Sequence, residues 1–190
     1  MSTLPPNPIT IERWRDTSRP QALIAGIEAV FFETAGTQAF QDAATREAFR
    51  DRWLGRYLSS DPDHVWLALT AEGAIAGYLV GCLDDPALTP RFADIGYFQS
   101  IAHLTWLYPA HLHINLSARY RSDGTGSRLI EAFVATAARA GSPGLHVVTG
   151  AGMRNVGFYG RNGFLEVARF SWPPSPPRER ELVMLARRLA

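Results

Sequence analysis

The 190 residues contain no lysine: all 19 basic residues are arginines, set against 18 acidic ones. That absence excludes chemistry built on a lysine amine, such as a Schiff-base nucleophile, the phosphate-binding lysine of a Walker loop or the strand lysine of protein kinases. Genome composition is a sufficient cause, and the exclusions hold whatever the cause. A charge excess is missing too, since the formal net charge is +1, whereas phosphate-backbone binding shows as a strong basic surplus. Nucleic acid is therefore not expected as a partner. With one cysteine, Cys82, there is neither an internal disulfide nor a multi-cysteine zinc site, and its apolar surroundings predict a buried, inert thiol. The opening MSTLPPNPIT has no basic region followed by an apolar one, so no secretory signal is expected. The longest charge-free run, 95–118, carries Gln99, Ser100, three histidines and Pro109. It is read as a buried helix followed by a strand, not as a membrane span, in a cytoplasmic protein.

A chain of this length fits one domain or two small ones and buries roughly 70% of its unfolded surface, so an ordinary core suffices without staples. Residues 1–8 read as a flexible proline-rich leader and 9–190 as a single domain. Alternation predicts a strand over 9–14, and helical spacing predicts helices from about 20 to 33 and from about 38 to 58. Two β-rich runs, 64–70 and 74–83, are separated by Ala71-Glu72-Gly73, a hairpin signal. Phe92, Ile95, Phe98, Ile101 and Leu104 predict one helix over 91–107, closed by Pro109. Then follow a strand at 111–116, a helix at 126–140, a strand at 145–149, a short helix at 152–162 and strands at 165–172 and 181–189. The last two are joined by a proline-rich link, 173–178. Hairpins mixed with crossovers imply a mixed α/β sheet with helices on both faces.

Two segments carry chemistry. In the first, the strand His111-Leu112-His113-Ile114-Asn115-Leu116 leads through Ser117 into Arg121-Ser122-Asp123-Gly124-Thr125-Gly126-Ser127-Arg128. Glycines there let the backbone turn tightly, and the N–H groups opening the next helix point at an anion. Each negative charge gains about 0.3 to 1 kcal/mol from such a helix end, and Arg121 or Arg128 would add charge-assisted hydrogen bonds. Asp123 is tolerated if its carboxylate points to solvent. The spacing is not Gly-x-Gly-x-x-Gly, which disfavours a dinucleotide fold. In the second segment, Asn155-Val156-Gly157-Phe158-Tyr159-Gly160-Arg161-Asn162-Gly163-Phe164, Asn155 and Tyr159 lie one helical turn apart. A tyrosine held there can donate a proton.

Together and in this order, the two segments resemble the GNAT N-acetyltransferase superfamily. The first looks like its acyl-CoA loop, Arg/Gln-x-x-Gly-x-Gly/Ala, and the second like its helix ending in Phe-Tyr-x-x-x-Gly-Phe. Within that superfamily, Pro109 to Leu116 after an aromatic insert is similar to the acetyltransferase-like domain of O-GlcNAcases and its free-standing bacterial relatives. The resemblance implies an α/β fold with a mostly antiparallel sheet of about seven strands and a V-shaped splay between two central parallel strands. It also implies acetyl-CoA as co-substrate and transfer of acetyl to the primary amine of a small molecule or peptide. Residue by residue, the backbone of Leu116 and Ser117 would pair with the pantetheine, and Arg121, Ser122, Asp123, Gly124, Thr125, Gly126 and Ser127 would hold the pyrophosphate. Tyr159 would protonate the departing thiolate. Aligned on Tyr159, the asparagine that usually opens this helix falls at Gly152, which leaves Asn155 as a pantetheine contact or a helix cap.

His111, His113 and Asn115 share one face of their strand by the two-residue period. They stand as a base and relay with His113 as general base, as a metal pair with His146 as third ligand, or as a hydrogen-bonded polar patch; no metal is assigned. The aromatics Phe92, Tyr97, Phe98, Trp106 and Tyr108 are read as core, as a homodimer surface or as the roof of a substrate pocket. Two other classes stay open beside the enzyme: a non-catalytic acetyltransferase-like binding module and a histidine-metal hydrolase. Membrane is not expected as a partner.

Overall fold

A computed structural model describes residues 8–37, 39–172 and 180–189. The predicted leader, except its last residue, and the link 173–178 lie outside the described residues. Seven strands run in the order β1-β2-β3-β4-β5-β7-β6: β1 Thr10–Arg13, β2 Val65–Leu69, β3 Ile75–Cys82, β4 Ala110–Leu116, β5 Gly144–Gly150, β6 Leu165–Trp172 and β7 Arg180–Arg188. β1 with β2, β2 with β3, β5 with β7 and β6 with β7 are antiparallel. β4 and β5 are parallel, and their register covers only Ala110 against Leu145 and His111 against His146, as expected for strands that splay. The fold class is the mixed, mostly antiparallel α/β sheet that the sequence implied.

The helices are α1 Pro20–Thr34, α2 Ala43–Arg50, α3 Arg56–Ser60, α4 Tyr97–Ser100, α5 Ala102–Thr105, α6 Thr125–Arg139 and α7 Asn155–Arg161. The chain forms two compact units, Met1–Gly81 with His113–Phe133, and Cys82–Leu112 with Val134–Ala190. Each holds part of β4 and part of α6.

In the first unit, α1 starts with Pro20 at its first turn, where the missing N–H costs nothing. It buries Leu23, Ile27, Val30 and Phe31 along one stripe. The helix expected from about 38 to 58 is split. Asp42 caps α2 by accepting the Thr45 N–H at 2.7 Å, and a π-helical turn at Asp51–Gly55 separates α2 from α3. Turns of this kind re-aim side chains and cluster at functional sites. β2 and β3 form the expected hairpin, with Gly73 at φ 78° in the turn between Thr70 and Ala74.

In the second unit, the single helix expected over 91–107 is instead a 3-10 turn at Pro90–Phe92 followed by α4 and α5. Ile101, at φ −115° and ψ 16°, breaks the helical path between them. The apolar spacing serves burial all the same: Phe92, Ile95, Phe98, Ile101 and Tyr108 are buried, while Trp106 is 63% exposed. The insert is therefore mainly core of this unit. Tyr97 packs edge-on to Trp172 at 6.2 Å. Cys82 is fully buried, and its sulfur accepts hydrogen bonds from Arg91 Nη2 at 2.7 Å and from the Asp84 N–H at 3.3 Å. No helix among the described residues is long and apolar enough to cross a membrane.

Candidate functional site

The sequence-predicted residues fall into two groups, one in each unit. In the first unit, the end of β4 presents His113 and Asn115 on one face, as the strand period requires. His113 Nε2 lies 3.2 Å from the Tyr57 hydroxyl, and its ring sits edge-on to Trp53 at 5.3 Å and to Tyr57 at 5.4 Å. Trp53 is inside the π-helical turn and Tyr57 follows it, so this turn orients both rings toward β4. Asn115 donates from Nδ2 to the Tyr78 hydroxyl at 2.7 Å. Burial pushes the Tyr78 phenol well above its ordinary range, while the Asn115 hydrogen bond opposes that rise.

Beyond β4, the Ser117 N–H donates to the Ala76 carbonyl at 3.0 Å, and the Ser117 carbonyl accepts the Tyr120 N–H at 3.0 Å. Both backbone groups assigned to pantetheine at Ser117 thus have protein partners. By alternation, the Leu116 N–H points to the opposite edge of β4. The Leu116 carbonyl accepts from Arg121 Nε at 3.0 Å. Glu33, at the end of α1, accepts the Ala118 N–H at 2.9 Å and the Ser117 hydroxyl at 3.1 Å. The Ala118 amide, then the Ser117 hydroxyl, hold its carboxyl below the usual carboxylate range, so it stays ionised. Sequence reasoning missed Glu33, Tyr57 and Tyr78, all far from β4 along the chain.

The loop turns at two left-handed residues, Ser122 at φ 67° and Gly124 at φ 88°. Gly124 was expected to bend the chain; Ser122 does so despite carrying a Cβ, a position that costs energy for any non-glycine. Gly126 shows no left-handed φ and belongs to the first turn of α6. Asp123 is exposed, as expected. Its Oδ1 accepts the Thr125 N–H at 2.9 Å, placing a carboxylate at the start of α6. The Arg128 N–H goes to the Gly124 carbonyl at 3.1 Å, whereas the N–H groups of Gly126 and Ser127 have no acceptor among the described residues. Arg128 does not serve this loop: its Nη1 donates to the Ile9 carbonyl at 2.9 Å.

In the second unit, Tyr159 is 5% exposed on α7, held between Phe158 at 5.3 Å and Phe164 at 5.5 Å. Burial alone raises its phenol pKa, so the group carries its proton at neutral pH. Gly163, at φ 80°, ends the helix, and the Phe164 N–H closes back on the Tyr159 carbonyl at 3.1 Å. Asn155 is not a helix cap. Arg154 occupies that position, and Asn155 Oδ1 accepts the Thr149 hydroxyl at 3.1 Å, tying α7 to β5.

The three histidines do not converge. His111 and His146 face each other at 5.7 Å, with Phe98 against both rings, and His146 Nδ1 is hydrogen-bonded to the Tyr108 carbonyl. His113 engages Tyr57 instead. No group of three metal-ligating side chains exists among the described residues.

Comparison with known proteins gives two findings. The pattern of the acetyltransferase (GNAT) family matches residues 27–164. The structure is similar to that of SsHAT, with a TM-score of 0.68 and 20% identity over 95% of this chain and 98% of that one. It is similar to an agmatine N-acetyltransferase mutant in its apo form, with a TM-score of 0.64 and 16% identity over 95% of this chain and 99% of that one. A third likeness is to yncA from Salmonella typhimurium, solved with its cofactor acetyl-CoA, with a TM-score of 0.60 and 14% identity over 96% of this chain and 94% of that one. At these identities the likeness is one of fold.

Proposed function

Because the chain belongs to the acetyltransferase (GNAT) family, we propose that it moves an acetyl group from acetyl-CoA to a primary amine by direct attack of the amine on the thioester. The observation that carries this reading is the turn at 121–127. Gly124 swings the chain into α6 with open space around its Cα, and the Gly126 and Ser127 amides are left without acceptors at a helix start, which suits the pyrophosphate of acetyl-CoA. The Leu116 N–H, on the edge of β4 away from Ala76, is the strand group assigned to the pantetheine. Arg121 Nε holds the Leu116 carbonyl and Asp123 the Thr125 N–H, and with Ser122 and Thr125 they form the loop assigned to the pyrophosphate.

In this scheme the amine attacks the thioester carbonyl, the carbon–sulfur bond breaks, and the thiolate takes a proton from Tyr159. His113, backed by the Tyr57 hydroxyl, accepts the proton lost by the amine. Positioning supplies most of the rate, and acid–base help adds about 10²- to 10⁴-fold. Agmatine, the substrate named for one structural relative, is a small amine, and a small-molecule or peptide amine is the acceptor class proposed here. Within the family, Pro109 to Leu116 supports a nearer relation to the acetyltransferase-like domain of O-GlcNAcases. Residues 9–190 acting as one catalytic domain in the cytoplasm belong to the same proposal.

One observation favours a non-catalytic binding module instead: carboxylates already sit on two backbone amides, Asp123 on Thr125 and Glu33 on Ala118. Calorimetric titration with acetyl-CoA, paired with a thiol-release assay across amines, separates the readings. Saturable binding with amine-dependent release of coenzyme A is expected, and absence of binding at millimolar acetyl-CoA would sink the enzyme. Tyr159→Phe is expected to lower kcat by about 10²-fold or more with acetyl-CoA affinity unchanged. Equal turnover would mean that another group or water protonates the thiolate.

A further inference from the structure

Where α1 ends and α2 begins, the first unit has an open surface cavity of about 360 Å³ lined by Phe32, Thr37, Phe40, Asp42, Ala43 and Arg46. That is within the size range of small-molecule sites. Its apolar wall is a cluster of phenyl rings. Phe32 and Phe40 meet edge to face at 6.1 Å, and behind them Phe31 and Phe49 stand 5.5 Å apart, with Phe40 and Phe49 at 5.3 Å. Phe31 anchors the set, being only 4% exposed. The polar wall is Thr37, Asp42 and Arg46, and the arginine is its one cation. The Arg46 guanidinium carbon lies 3.5 Å from the centre of the Phe32 ring, so one face of the planar group is covered while the side chain stays exposed.

Arg46 has no carboxylate partner among the described residues. This contrasts with Arg50 one turn later, which is held by Glu28 at 2.6 Å and Glu47 at 3.1 Å, and with Arg15, paired with Asp63 at 2.6 Å. Of the two carboxylates near it in sequence, Glu47 is paired with Arg50, and Asp42 is engaged as the cap of α2, where the Thr45 amide and hydroxyl hold it ionised. A guanidinium stacked on an aromatic ring, with an unused edge beside two phenyl rings, matches a ligand that joins a carboxylate to an apolar body.

Successive residues of α1 serve the cavity and the end of β4. Phe32 lines the cavity, and the following residue, Glu33, holds Ser117 and Ala118 at the end of that strand. We propose that this cavity binds the carboxylate-bearing apolar end of the amine acceptor, so that the substrate class is an amino acid or similar amino-carboxylate with an apolar side chain. Arg46 is then a specificity-determining residue. The inference rests on the acetyl-transfer reading for the identity of the ligand, though not for the existence of the carboxylate site.

Two measurements on the full chain test it. In calorimetry without acetyl-CoA, 3-phenylpropionate is expected to bind saturably and 3-phenylpropan-1-amine at least about tenfold more weakly, with Arg46→Gln erasing the difference and leaving acetyl-CoA affinity unchanged. In the thiol-release assay, phenylalanine is expected to exceed phenethylamine in kcat/KM by about tenfold or more, and Arg46→Gln to remove that preference. If acetyl-CoA is bound and consumed while 3-phenylpropionate does not bind, binds no better than the amine, or binds Arg46→Gln equally well, the inference is overturned and the acetyl-transfer reading stands. Carboxylate binding through Arg46 with no preference for phenylalanine in turnover overturns the acceptor assignment. Carboxylate binding through Arg46 in a protein that neither binds nor consumes acetyl-CoA overturns the acetyl-transfer reading and keeps the site.

Discussion

His146 shows how a single residue's setting decides its chemistry. Fully buried at the parallel register with His111, its ring is pushed by desolvation from 6.5 down to about 4, against the opposing pull of the Tyr108 carbonyl. It is neutral at physiological pH and serves the core. Between pH 6.5 and about 4, the unfolded chain takes up a proton at this imidazole that the folded chain refuses. Its contribution to stability is whole above pH 6.5 and is lost as the pH falls to about 4, by about 3 kcal/mol over the window. His146→Asn, which keeps a donor for the Tyr108 carbonyl and removes the titration, is expected to flatten the fall of the urea midpoint across that window. An unchanged slope would assign the acid sensitivity to other groups. The histidines were visible in the sequence as a set, but their division was not. The strand period puts His111 and His113 on one face without telling that Phe92 and Phe98 enclose the first and Tyr57 meets the second. Glu33 was equally hidden, because nothing local links residue 33 to an amide 85 positions later.

Among the elements, the close approach of β3 and the end of β4 sets the geometry on which the proposed acyl-CoA binding depends. A Cβ on Gly77 would lie 2.8 Å from the Asn115 carbonyl oxygen, 2.8 Å from Leu116 Cγ and 3.2 Å from Leu116 Cα. Much of what it would meet is backbone, which cannot swing aside as a long side chain can. Gly77→Ala is therefore expected to cost about 1 to 3 kcal/mol as overpacking and to weaken acetyl-CoA binding by displacing Leu116 and Ser117. Chemical denaturation and calorimetry check the two effects, and a variant with wild-type stability and affinity would show that β4 is not held by this contact. The strands were legible from alternation and turn residues to within a residue or two, as was α6. The helices that failed, 38–58 and 91–107, failed for one reason. Apolar spacing reports which side chains are buried, and it persists through the π-helical turn at Asp51–Gly55 and through the break at Ile101, where the backbone departs from α-helix without changing the buried face.

For the whole molecule, the absence of lysine has a consequence that follows from the proposed reaction. An enzyme that holds acetyl-CoA in a reactive state exposes its own surface amines to the thioester, and lysine side chains are the usual nucleophiles once deprotonated. Here every lysine-or-arginine position carries a guanidinium, which stays protonated at any working pH and does not attack a thioester, and an acetyl group taken up by a histidine is hydrolytically labile. Phosphate is handled in the proposal by backbone amides at the start of α6, so arginine-only composition removes no step of the reaction while it removes the self-modification. The surface is otherwise ordinary, with arginines paired to carboxylates, as Arg169 is to Glu166 and Glu181. Prolonged incubation with acetyl-CoA at alkaline pH, followed by intact-mass measurement after hydroxylamine treatment to strip oxygen and sulfur esters, is expected to show at most one acetyl group, on the α-amine of the chain. A second hydroxylamine-resistant acetyl group would require an amide-forming nucleophile that this composition lacks, and would overturn the expectation.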